Sequence, residues 1–207
     1  MESMLRDKIL DNLSIQAGFF DSYLYFMPME HILSGFCAEQ TRNGIYISKY
    51  YYSLFDRASN LNLNLSERLP YPECFIDYNS TKKTDVASVF IERVAPYIED
   101  VRNSSDPLSI YLYIQTNPKL LKNEWIMKTF ILIQVFLEKY TDALTNLEEI
   151  LNNKYTGTRL QITMDCREIF DLLIQDPSSA KERVLEWEEQ MKLKILFRQT
   201  ENRDRFI

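Results

Sequence analysis

The sequence predicts an all-α chain, a single-domain irregular bundle of about six to eight helices with room for one minor short-strand element. Three observations predict it. Glycine is scarce, with four residues in 207 against roughly 7% in ordinary domains. The long periodic segments carry apolar residues at helical spacing. Proline follows a capping side chain at Asp106-Pro107, Asn117-Pro118 and Asp176-Pro177, the arrangement of a helix start.

Residues 2–13 and 19–39 read as two N-terminal helices, the second interrupted near Pro28. Residues 44–55 are ambiguous: Ile45, Tyr46, Ile47, Tyr50, Tyr51, Tyr52 and Phe55 suit a strand by residue type, while length and the following Asp56-Arg57-Ala58 suit a helix. The stretch at about 60–83 shows no helical pattern and is expected as a long loop. Within it, Leu69-Pro70-Tyr71-Pro72 is a stiff extended piece that packs over the core or docks on a partner.

Residues 84–101 form a helical stripe through Val86, Phe90, Val94 and Val101, which Pro96 kinks or interrupts. A longer helix is expected over about 123–152, apolar nearly all round at first and amphipathic after Tyr140, ending toward a cap at Gly157. Residues 165–174 suit a helix, with 158–163 as its lead-in or a short strand. The last helix, 178–197, sets Val184, Trp187 and Met191 on one face and Glu182, Glu186 and Glu189 on another. The whole chain, 1–207, is expected to be one helical domain with a basic C-terminal tail at about 198–207.

Four glycines are too few for the Gly-rich loops of dinucleotide, P-loop or hydrolase sites. The formal charge of −6 opposes a broad phosphate-binding surface. Charge is unevenly distributed: residues 138–189 hold 12 Asp and Glu against 6 Lys and Arg, whereas the last 18 residues are net positive through Lys192, Lys194, Arg198, Arg203 and Arg205. The tail suits cations at a helix C-terminus, with RNA or ribosome binding as a competing use. Cys37, Cys74 and Cys166 are odd in number and widely spaced, which fits a reducing compartment. The N-terminus lacks the pattern of a secretory signal, and the apolar run 125–137, which includes Lys128 and Gln134, is too short for a bilayer span. A cytoplasmic location and no membrane association are therefore expected.

His31 is the single histidine, which argues against histidine-built zinc sites and di-iron bundles. Cys37, six positions on, would face another side of a helix, so His31 is expected to be structural. Glu138, Asp142 and Glu149, and likewise Glu182, Glu186 and Glu189, recur at helical spacing. Such stripes mark a solvated or docking face more readily than a catalytic pair. Tyr50, Tyr51 and Tyr52 are consecutive and cannot all enter one core, so part of this group is expected at an interface.

These readings converge on a non-enzymatic intracellular protein-binding protein, an inhibitor, immunity, antitoxin-like or adaptor protein. Its expected contact residues are Glu138, Asp142, Glu149, Glu182, Glu186, Glu189, Tyr50, Tyr51 and Tyr52. The expected partner is another protein of basic character; no catalytic residue, metal or cofactor is assigned. The alternatives are an enzyme with a carboxylate, Tyr and Arg site between helices, and RNA or ribosome binding through the basic tail.

Overall fold

A computed structural model describes residues 3–57, 64–152 and 160–204, with side chains described over 5–57, 64–152 and 160–197. It overturns the all-α expectation. The chain is mixed α and β, built around a six-stranded antiparallel sheet. Two compact units share the chain. A sheet unit comprises Met1–Tyr52, Leu65–Ser105 and Lys194–Ile207, and a helical unit comprises Ser53–Asn64 and Asp106–Leu193.

In the sheet unit, α1 (Ser3–Asn12) precedes β1 (Ala17–Phe20), β2 (Tyr23–Phe26), β3 (Ile32–Gln40), β4 (Gly44–Ser53), β5 (Leu65–Arg68) and β6 (Phe75–Asp77). The order is β1-β2-β3-β4-β5, and β6 pairs with the β4 segment Gly44–Tyr46 while β5 pairs with Ser48–Tyr51. Thus the segment expected as a helix over 19–39 is a hairpin and most of a third strand. The hairpin turns at Asp21-Ser22, with Asp21 at φ 52°, a left-handed position that Asp tolerates better than most residues.

The helical reading of β3 has a physical origin. Ile32, Leu33, Phe36 and Cys37 fall at i, i+1, i+4 and i+5, but Ile32–Ala38 is buried on both faces, so the polar alternation of a half-buried strand never develops. Gly35 permits the pairing: a Cβ there would lie 1.9 Å from the Leu24 carbonyl oxygen of β2. The ambiguous segment 44–55 forms a strand over Gly44–Ser53 and then turns, and the expected loop at about 60–83 supplies β5 and β6. Tyr71 in its Pro-rich piece is 86% exposed while Leu69 is buried.

The stripe of residues 84–101 becomes α2 (Val86–Val94), a 3₁₀ turn carrying Pro96, and α3 (Ile98–Asn103). Val86, Phe90, Val94 and Val101 join Phe19, Leu24, Phe36, Ile45, Ile47 and Ile76 in this unit's apolar core.

The helical unit contains α4 (Pro107–Thr116), α5 (Glu124–Phe136), α6 (Tyr140–Asn152), α7 (Leu160–Gln175) and the greater part of α8 (Pro177–Asp204). The capping signals act as expected at α4, where the Ser109 amide donates to Asp106 Oδ1 at 3.0 Å, and at α8, where the Ser178 amide donates to Asp176 Oδ1 at 3.1 Å. Asn117-Pro118 starts a 3₁₀ turn, Pro118–Lys122.

The single helix expected over 123–152 is two. The Lys139 amide donates to the Gln134 carbonyl and the Glu138 amide to the Val135 carbonyl, a Schellman pair with Glu138 at φ 59°. Glycine ordinarily marks this stop, and its absence hid the break. The expected cap at Gly157 and residues 158–159 lie outside the described residues, as do the side chains of the basic tail at 198–207. Among the described residues no helix is long and apolar enough to cross a membrane.

Candidate functional site

The tyrosines nominated as contact residues are placed by β4. Tyr50 and Tyr52 are buried and Tyr51 is half-buried. The Tyr50 hydroxyl donates to the Leu24 carbonyl at 3.4 Å, its ring meets Tyr23 edge-on at 5.4 Å, and burial pushes its pKa well above the usual tyrosine value. Packing accounts for these two rings, which present no open surface.

The carboxylates have a different setting. Asp142 and Glu149 lie on the exposed side of α6, whose other side buries Ala143, Leu147 and Ile150. Glu182, Glu186 and Glu189 are exposed on α8, and Glu138 is exposed in the α5–α6 break. Three of the six hold cations: Glu138 with Lys181 at 2.5 Å, Glu186 with Arg183 at 2.7 Å, and Glu189 with Lys192 at 3.1 Å. Asp142, Glu149 and Glu182 have no ion-pair partner among the described residues.

Beside them α7, which packs against α6, exposes a mixed stripe that carries three apolar side chains. Leu160, Met164 and Ile174 are 66%, 53% and 63% exposed and fall at i, i+4 and i+14, close to whole helical turns. Arg167 and Asp171 occupy the same stripe. Leu108, Leu112 and Tyr113 on α4 are each about half exposed. None of these apolar positions is marked by the sequence pattern, because exposure depends on which helix face meets the core.

A second constellation was also missed, and it lies inside the helical unit. Lys128 of α5 has a fully buried side chain; its Nζ donates to Asp56 Oδ1 at 2.8 Å and to Asp165 Oδ2 of α7. Asp165 Oδ1 accepts from Arg57 Nε at 2.8 Å and from Gln161 Nε2 at 2.7 Å. Arg57 Nη2 reaches Glu168 Oε2 at 2.8 Å, Arg183 Nε reaches Glu168 Oε1 at 3.1 Å, and the Arg57 guanidinium sits 4.3 Å above the Trp187 ring. The chain of alternating charges thus runs from sealed Lys128 to half-buried Arg57, Glu168 and Arg183.

Its chemistry follows from its electrostatics. Burial opposes the Lys128 charge, but Asp56 and Asp165 outweigh it and hold its pKa above the ordinary lysine value. An ammonium held in this way is neither nucleophile nor base. Cys166, next to Asp165, is pushed up to about 12, chiefly by burial, and so is a poor source of thiolate. The network therefore acts as a cross-link joining the segment after β4 to α5, α7 and α8. A lysine inside the apolar run of α5 was the available signal, since a buried cation requires a buried acid. Spacing alone could not select Asp56 and Asp165 from 30 acidic residues.

His31 is half-buried immediately before β3, and Cys37 is buried within it. Six residues of extended chain separate them by roughly 20 Å. They are held apart by strand length rather than by helical rotation. Cys37 is pushed up to about 11 by burial and by nearby Glu39. Among the described residues no group of three or more His, Cys, Asp or Glu is placed to hold a metal ion. No family model, curated protein or solved structure matches the chain significantly.

Proposed function

We propose that the chain is a non-enzymatic protein-binding protein of inhibitor, immunity, antitoxin or adaptor type, acting in the cytoplasm, and that its helical unit binds a basic partner protein. One observation carries this reading: Asp142, Glu149 and Glu182 are exposed and, among the described residues, have no ion-pair partner, in the same unit as the exposed side chains Leu160, Met164 and Ile174. Apolar side chains flanked by polar ones have the anatomy of a protein interface. Unneutralised carboxylates select for a basic surface and accelerate its approach. The contact set shifts accordingly from the buried tyrosines to the α6 and α7 surface and Glu182.

The test begins with recovery of partners from the native host at low salt, followed by binding of the purified partner. The triple variant Asp142→Asn, Glu149→Gln, Glu182→Gln and the single variant Met164→Glu are each expected to weaken that binding at least tenfold without loss of folding. A partner bound equally well by wild type and both variants would overturn the assignment, as would failure to recover any direct partner.

A further inference from the structure

The exposed face of α7 has a period of its own. Leu160, Met164, Arg167, Asp171 and Ile174 succeed one another at intervals of four, three, four and three residues, the alternation of a coiled-coil seam. All five are exposed, while Ile162, Asp165, Cys166, Ile169 and Leu173 on the opposite side of the helix are buried in the helical unit. The middle of this seam is charged. Among the described residues Arg167 and Asp171 form no ion pair, with each other or with another group, and the Arg167 guanidinium lies 5.9 Å from the Phe170 ring centroid.

A cation and an anion four residues apart in mid-seam restrict what can cover it. A second α7 running antiparallel, with a two-fold axis level with Ile169, sets Arg167 opposite Asp171 of the second copy and Asp171 opposite its Arg167. The same rotation sets Met164 opposite Ile174 of the second copy and Ile174 opposite its Met164. Two reciprocal ion pairs are thereby flanked by two apolar pairs over about 15 Å of helix. The stripe is self-complementary, which a two-fold interface requires. A parallel copy would set Arg167 on Arg167 and Asp171 on Asp171, and those like-charge contacts select the antiparallel orientation.

We propose that α7 pairs antiparallel with α7 of a second copy of this chain, forming a weak homodimer. The contact spans about three helical turns, which places it among the small, transient interfaces. The pairing needs no other protein; only its consequence, that it occludes Met164 and Ile174 from a basic partner, rests on the function proposed above. Sedimentation of the purified full chain alone is expected to show a reversible monomer–dimer equilibrium between about 10 µM and about 1 mM. Arg167→Asp and Asp171→Arg each set like charges across the axis and should weaken self-association about tenfold or more. Both positions are exposed, so neither change disturbs the core. Combining the two changes on one chain should restore association, and so should mixing the two single variants, since each supplies the charge that the other lacks. A chain monomeric throughout that range, single variants that associate like wild type, or no recovery in either the combined variant or the mixture would each overturn the pairing. Partner binding that persists in a chain monomeric throughout would overturn the pairing alone, whereas a dimer restored by charge exchange with no recoverable partner would uphold the pairing and overturn the proposed function.

Discussion

The two units close their interiors by different physics. Among the described residues of the sheet unit, the buried set is apolar or aromatic except for Ser34. The helical unit buries Lys128, Asp165, Asp56, Gln134, Glu188 and Ser53 along with its aliphatic side chains. A sheet fixes its register through backbone pairing and a close approach such as that at Gly35, so its core needs only apolar volume. Helices on an apolar contact can slide or rotate at low cost, and buried polar pairs give such a contact one preferred register. The Lys128 cluster, and the Asn146 amide donating to Gln134 Oε1 at 2.8 Å between α6 and α5, supply that specificity.

The largest expected effect comes from breaking the cluster without changing its volume. Lys128→Met leaves Asp56 and Asp165 buried and is expected to cost about 3–5 kcal/mol in denaturant unfolding. The matched test in the sheet unit is Leu24→Met at a position 0% exposed, where a roughly volume-conserving apolar change should cost about 1 kcal/mol. Equal losses from the two variants would erase the distinction.

Alkaline titration sharpens it further. Cys37 and Cys166, folded at about 11 and about 12 against 9.0 in an open chain, contribute stability in full below about pH 9 that declines above it. Lys128, raised above 10.5, contributes in full below about pH 10.5, and that contribution is lost as pH rises through its folded value. Stability followed by circular dichroism should fall from about pH 9 upward. In Lys128→Met the fall above about pH 10.5 should be shallower; an unchanged slope there would count against a stabilising charge on Lys128.

A smaller effect of opposite sign is expected at the α5–α6 break. Glu138 holds φ 59°, a conformation costing a non-glycine residue on the order of 1 kcal/mol, and its ion pair with Lys181 is largely exposed and contributes little. Glu138→Gly should raise stability by about 0.5–1 kcal/mol in thermal or denaturant unfolding. A loss would show that the Lys181 pair matters more than the backbone.

The same contrast explains what could be read from the chain. Helices were legible where local chemistry declares them, as at Asp106-Pro107 and Asp176-Pro177, and where one face alternates with solvent, as in α6 and α8. The sheet was hidden because β3 is buried on both faces and its Ile32, Leu33, Phe36 and Cys37 imitate a helical stripe. The acidic face was legible from spacing, since charged side chains occupy the solvent side of an amphipathic helix. The exposed Leu160, Met164 and Ile174 and the partners of Lys128 were not, because both depend on which distant segments pack together. The tyrosine run was misleading, as a central strand absorbs Tyr50 and Tyr52 on its own.

The functional account rests on unneutralised carboxylates meeting a basic partner, and the salt dependence of the purified complex tests that most directly. Between about 50 and about 300 mM NaCl the dissociation constant should rise roughly tenfold through slower association, and this response should shrink in the Asp142→Asn, Glu149→Gln, Glu182→Gln variant. A dissociation constant that stays constant or falls as salt is added would contradict the account.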